Sequence, residues 1–386
     1  MDMTEDIHSP YDAGWEKILS SLQDIYAEAR LDGRSLADTA QKMRKFLADD
    51  LKNLSSVSPL IFNDDGDHDD QTHQVVNLLH SWHQQGLAPS LLALCMHALR
   101  LWGLEINPGL KHALTMAALL GEVDNTLPYH NNMHYRKVML QLLRLIDEHQ
   151  RIYAGTTQSL ATEQIVLLLI AVCIHDLGHD GKGNTIKGVF VPGRLEKQSY
   201  DLALPYLRAC GLTDEKMLAD LRVMLLTTEV TPLEDPANPA NQMKAAYRYH
   251  YLGENRKAET LNLDPALARL ESDPVLALMA LLLHEADIAT SAGLTYAVTK
   301  FETSIYRREL TAQDARPEHI VEFLNTVCQR KFLSSAGQAL FAGNMARIVA
   351  LAEEEAKFGN LPFPQAEKAD FLLLKDRRDR SFTTLN

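Results

Sequence analysis

Apolar residues recur every three or four positions through almost the whole chain, as in Leu91, Leu92, Cys95, Leu99 and Trp102, or in Ile320, Phe323, Leu324 and Val327. Such spacing gathers side chains on one face of a helix, whereas a strand needs alternation, and no convincing alternating series is present. Gly86, Pro108-Gly109, Gly155, Gly211, Pro232, Pro236, Pro239, Pro274 and Pro317 break the pattern into segments of ordinary helix length. With 46% hydrophobic residues in 386 positions, these helices carry ample apolar surface to close on a core. The expected fold class is therefore all-α, a compact multi-helix fold.

Against that apolar background, metal-binding side chains concentrate at a few points. Tyr129-His130-Asn131-Asn132-Met133-His134 places two imidazoles four residues apart, on one face if the segment is helical. The run Ile165 to Ile174 leads straight into His175-Asp176, and Leu281-Leu282-Leu283-His284-Glu285-Ala286-Asp287 again carries a carboxylate to the end of an apolar segment. Burying such groups is costly unless something pairs with them. A divalent metal supplies the compensation, and mixed imidazole and carboxylate donors suit one of borderline hardness. A metal-activated hydrolase is the leading expectation.

The formal net charge of −13 gives no global attraction to a nucleic-acid backbone, so a nucleic-acid partner is not expected. The start Met1-Asp2-Met3-Thr4-Glu5-Asp6 lacks the basic and apolar regions of a secretory signal, and Ile165 to Ile174 is about half the roughly 20 residues of a membrane span. A cytoplasmic protein without a membrane partner is expected. Cys95, Cys173, Cys210 and Cys328 form no CxxC pair and read as reduced core thiols. The acidic run Asn63 to Asp70 fails the register of a calcium-binding EF-hand loop and reads as a solvated linker. His73, His80 and His83 after it read as surface or interface histidines. These breaks suggest an N-terminal helical extension over 1–85, with an amphipathic stretch from Trp15 to Ala29, a catalytic domain over 86–360 and a charged tail over 361–386.

At the motif level the sequence resembles class I cyclic-nucleotide phosphodiesterases, HD-superfamily enzymes that hydrolyse cAMP or cGMP. Tyr129-His130-Asn131-x-x-His134 is similar to YHNxxH, His175-Asp176-x-x-His179-x-Gly181-x-x-Asn184 to HDxxHxGxxN, and His284-x-Ala286-Asp287-Ile288 to HxADL, in the same order. Shorter echoes are Leu195-Glu196 for LExHH, Leu226-Thr227-Thr228-Glu229-Val230 for LATDM, and Gln338-Ala339-Leu340-Phe341 for QxxF. Departures lie at Gln198-Ser199, in place of paired histidines, at Lys137, where an acid is common, and at Gly178 within the HD motif. Lys182, Lys187, Arg194 and Lys197 add positive charge after that motif.

The resemblance implies an HD/PDEase-like catalytic fold and a small-molecule nucleotide substrate, and it leaves a homodimer open. It implies that His134, His175, Asp176 and Asp287 hold a first metal, zinc, with Asp176 bridging to a second, magnesium or manganese. A metal-bridged hydroxide would attack the cyclic phosphate while His130 protonates the departing oxygen and His179 orients metal-bound waters. Tyr129, Glu196 and Thr228 would support ligands and waters, and Gln338 and Phe341 would hold the base. The alternatives are an HD phosphohydrolase of another nucleotide, an alarmone or cyclic dinucleotide, and a catalytically silent nucleotide sensor.

Overall fold

The computed structural model describes residues 30–359 apart from 32–33, 63–67, 86–87, 231–237, 256, 258–263, 312 and 314. Trp15 to Ala29, most of the acidic run and the tail beyond 360 lie outside the described residues. The described residues form α1 (Leu36–Asn53), α2 (Ser58–Ile61), α3 (His68–Gln85), α4 (Leu91–Leu101), α5 (Pro108–Gly121), α6 (Asn132–Ile152) and α7 (Thr162–Ile174). There follow α8 (Arg194–Ala209), α9 (Glu215–Leu226), α10 (Pro239–Tyr251), α11 (Pro274–Ala292), α12 (Tyr296–Thr311), α13 (Pro317–Thr326) and α14 (Ser335–Phe358). Strand structure among them is confined to two small hairpins, β1 (Arg30–Leu31) with β2 (Arg34–Ser35), and β3 (Thr185–Ile186) with β4 (Val189–Phe190). The all-α expectation is met.

A helix that is apolar on every side can only sit at the centre. In α7 every residue from Ile165 to Ile174 is buried, and the helix packs on α5, α6, α9 and α11. Helix α11 is long and apolar enough to cross a membrane by length and composition, and 89% of its most apolar window is buried inside the molecule. Helix α6 lies along α11. The three segments bearing the metal-type residues are thus neighbours in the core. Gly121, at the end of α5, permits one of the closest approaches: a methyl group there would run into the Cys173 carbonyl and reach 2.7 Å from Leu91 Cδ1. Gly121→Ala should cost roughly 1–3 kcal/mol through overpacking, read as a fall of several degrees in thermal midpoint; an unchanged midpoint would show that α5 can back away freely.

Among the described residues, those from 36 to 82 share the apolar core of the later helices. Leu36, Ala40, Met43 and Leu47 of α1 and Val75, Val76, Leu79 and Trp82 of α3 belong to the same apolar core as the later helices. Asn344 of α14 donates a 2.7 Å hydrogen bond to Thr72 Oγ1. Among the described residues the apolar core is continuous on either side of residue 85. His80 is buried, and His83 meets Phe301 edge to face at 6.2 Å, its pKa pulled to about 3 by burial and then by Lys137. The surface reading of these two histidines is corrected. All four cysteines are buried and free.

Candidate metal centre

Asn131 begins the site from the backbone up. Its side chain accepts from the amides of Met133 and His134, capping α6, and donates to the carbonyls of Leu127 and Pro128. Asn132 donates to the carbonyls of Gly121 and Val123. This knot fixes His134 in the first turn of α6, while His175 and Asp176 stand at the end of α7 and Asp287 on α11. His134 Nε2 lies 3.2 Å from Asp176 Oδ2 and 3.2 Å from Asp287 Oδ1. His175 Nε2 lies 3.2 Å from Asp176 Oδ2, 3.8 Å from Asp287 Oδ1 and 3.4 Å from His134 Nε2.

The donor chemistry fits a divalent cation. His175 Nδ1 donates to the Val172 carbonyl at 2.9 Å, which leaves its Nε2 lone pair directed at the other three groups. His134, His175 and Asp287 bring their ligand atoms within 4.8 Å of one another, and Asp176 Oδ2 lies 3.2 Å from both imidazoles, donor types that suit zinc. Without a cation a proton must serve: burial alone would lower the His134 pKa, but hydrogen bonds and charge from Asp176 and Asp287 overcome it and raise it to about 9. His175 is raised on the same balance. Asp176 is held well below the usual carboxylate range, the facing histidines outweighing its burial.

Beside this cluster, His130, His179 and Glu309 form a second one. His130 Nδ1 lies 2.5 Å from Glu309 Oε1, and Glu309 Oε2 accepts the amides of Tyr129 and His130 at 2.8 and 3.1 Å. The His130 and His179 rings stack at 3.6 Å. His179 Nδ1 accepts from the Gly181 amide at 3.1 Å, and burial, with His130 next, lowers its pKa to about 4. It is a neutral imidazole at physiological pH. Burial would raise the Glu309 pKa, yet His130 holds it down. Glu309 has no local motif, and sequence reasoning missed it. Tyr129 connects the clusters, its ring 4.8 Å from both His130 and His134.

The remaining expected residues divide. Glu196 shares the Asn184 amide with Glu229, at 3.0 and 2.8 Å; burial and then Glu229 raise Glu196 to about 8, and burial raises Glu229 to about 7. Glu229 was the unread member of the Leu226 to Val230 stretch. Thr228 turns its hydroxyl onto the Leu225 carbonyl at 2.8 Å, closing the end of α9. Gln338 and Phe341, expected to hold the base, stand in different surroundings. Phe341 is only 1% exposed, packed on Phe332 at 4.9 Å and under the Arg144 guanidinium at 5.3 Å, while Gln338 is exposed and donates to the Leu333 carbonyl. An aromatic at core spacing has been claimed by the core.

The departures from the motif pattern have structural work. Gln198 Nε2 and Ser199 Oγ each donate at 3.0 Å to the carbonyls of Gly178 and Leu177, tying the turn after His175-Asp176 to α8. Gly178 has φ of +75°, and a Cβ there would fall 2.6 Å from Leu202, so glycine is required twice over. Arg194 is committed to Asp180 and the Gly183 carbonyl. Lys137 is buried against both Glu302 oxygens at 2.7 Å, joining α6 to α12.

No protein-family model matches the chain, and no curated protein matches it. Solved structures do. The phosphodiesterase domain of the Salpingoeca rosetta rhodopsin phosphodiesterase is similar at a TM-score of 0.48 and 16% identity, over 80% of this chain and 94% of that one. LmjPDEB1 in complex with IBMX is similar at 0.49 and 13%, over 75% and 88%. The phosphodiesterase domain of a RhoPDE fusion protein from Salpingoeca rosetta gives 0.44 and 15%, over 86% and 98%. The chain is thus similar to phosphodiesterase domains at low identity, and its chemistry rests with its own residues.

Proposed function

We propose that this protein is a metal-dependent 3′,5′-cyclic nucleotide phosphodiesterase that releases the 5′-nucleoside monophosphate. The observation that carries the reading is the adjacency of two different devices: a buried set of two imidazoles and two carboxylates, and an imidazole anchored by a carboxylate. His134, His175, Asp176 and Asp287 would hold the first metal, zinc, and Asp176 would also reach a second, magnesium or manganese. Bound there, divalent metals supply Lewis-acid polarisation of the phosphate and a water acidic enough to attack phosphorus near neutral pH.

The chain's own groups do the rest. Attack by water at phosphorus breaks the bond to the 3′-oxygen, a poor leaving group that needs a proton. His130 delivers it from Nε2, because Nδ1 is engaged by Glu309, and Glu309 steadies the positive imidazolium. His179, stacked on His130 and neutral, fixes the plane of the ring. Asn184, Glu196 and Glu229 brace the loop leading into α8.

The test is turnover by the purified full chain supplied with zinc and manganese, against cAMP, cGMP, a cyclic dinucleotide and an alarmone. Release of 5′-nucleotide from cAMP or cGMP supports the reading. Hydrolysis of only the other two would move the assignment to a different HD phosphohydrolase, and binding without turnover of any would make the protein a sensor.

A further inference from the structure

Tyr306 stands on α12 one turn before Glu309, so both side chains emerge on the same helix face. Its ring lies 5.3 Å from that of Tyr129 and 6.0 Å from that of His130. The side chain is largely covered, yet its hydroxyl makes no hydrogen bond to any of the described residues and is not sealed from solvent. Covered phenols normally find a partner, since an unpaired polar group is costly to desolvate.

The nearby carboxylates are turned to other groups. Asp176 and Asp287 face the two histidines, and Glu309 takes His130 and two backbone amides. Burial, followed by Glu309, Asp176 and Asp287, pushes the Tyr306 pKa up to about 12. The phenol therefore keeps its proton and can serve as a donor throughout the neutral range. Its natural complement is an anionic oxygen brought in by a ligand, within reach of the acid His130.

We propose that Tyr306 is a substrate-binding residue whose hydroxyl donates to a phosphoryl oxygen of the nucleotide, an assignment that rests on the phosphodiesterase reading. Phosphate recognition, rather than base recognition, follows from its company: His130 must lie beside the phosphate ester to protonate it, and Tyr306 is its neighbour.

The test is Tyr306→Phe in the metal-loaded full chain, which removes one oxygen and keeps the ring packing. Inorganic phosphate is titrated calorimetrically into wild type and variant, with KM, kcat, metal content and thermal midpoint measured alongside. Loss of one hydrogen bond to a charged group should weaken phosphate binding and raise KM by roughly tenfold or more, with metal content and midpoint unchanged. An active wild type whose variant binds phosphate equally well overturns the role of Tyr306 while leaving the phosphodiesterase reading intact. Weakened adenosine binding with unaltered phosphate binding, or loss of metal in the variant, also overturns it. A wild type that neither hydrolyses cyclic nucleotides nor binds phosphate overturns both.

Discussion

Asp176→Ala is expected to remove tightly bound divalent metal and to bring turnover down to background. Asp176 Oδ2 is 3.2 Å from the facing nitrogens of both His134 and His175, so its loss takes one donor from the set and leaves two buried imidazoles facing each other. Loss of a merely outer partner lowers metal affinity by roughly 10–100-fold; loss of a direct ligand should exceed that. Elemental analysis after dialysis checks it, and a variant retaining wild-type zinc would remove Asp176 from the ligand set. The wild type adds a pH signature. His134, raised from 6.5 to about 9 in the metal-free protein, contributes stability that is complete below 6.5 and is lost as pH rises through about 9. Metal must displace that proton, so loading strengthens over the same interval. Thermal midpoints measured with and without zinc should diverge as the pH is raised from 6.5 to 9.

His130→Ala should lower kcat by roughly 10²–10⁴ while sparing metal content, the range typical of a lost general acid. His130 lies outside the four-residue donor set but beside it, its ring 5.7 Å from that of His134. Glu309→Gln should lower kcat less, about tenfold to a hundredfold by loss of a charged hydrogen-bond partner. The amide retains an oxygen to accept from His130 but loses the charge that steadies the imidazolium. Glutamine keeps the size of the side chain but only one of its two acceptor oxygens, so it also gives up the hydrogen bonds that Glu309 Oε2 accepts from the Tyr129 and His130 amides. Parallel kcat and zinc measurements decide the matter. Unimpaired turnover in His130→Ala would pass the proton to another group, and loss of zinc would make His130 a support of the metal set.

The features legible in the sequence are those written locally. Helical spacing announces α6, α7 and α11, and the His and Asp residues at their ends stand out because burial makes polar groups conspicuous in apolar runs. Glu309, Tyr306 and Glu229 escaped because nothing around them in sequence differs from an ordinary solvated or packed helix; only the folding of α12 over the start of α6, and of α9 beside α8, brings them to the centre. Phe341 is a case of the opposite kind. An aromatic three residues after a polar one on a helix reads equally well as pocket or core, and its fate was decided by the neighbours Phe332 and Arg144. The segment 30–85 carried amphipathic faces that demanded burial but did not say against what, and α3 answers by joining α14.

The Lys137–Glu302 pair gives the molecule a shared bolt. Lys137 sits three residues beyond the proposed ligand His134 on α6, and Glu302 sits seven before Glu309 on α12. A charge left alone in that position would be destabilising by roughly 3–5 kcal/mol, so the two rods are locked in one register by electrostatics. Evolution cannot retune the distance between the proposed acid and the proposed ligand by sliding one helix along the other without first neutralising both charges together. Drift at this joint is therefore a two-step path whose first step is penalised, and the spacing of acid and ligand inherits that resistance.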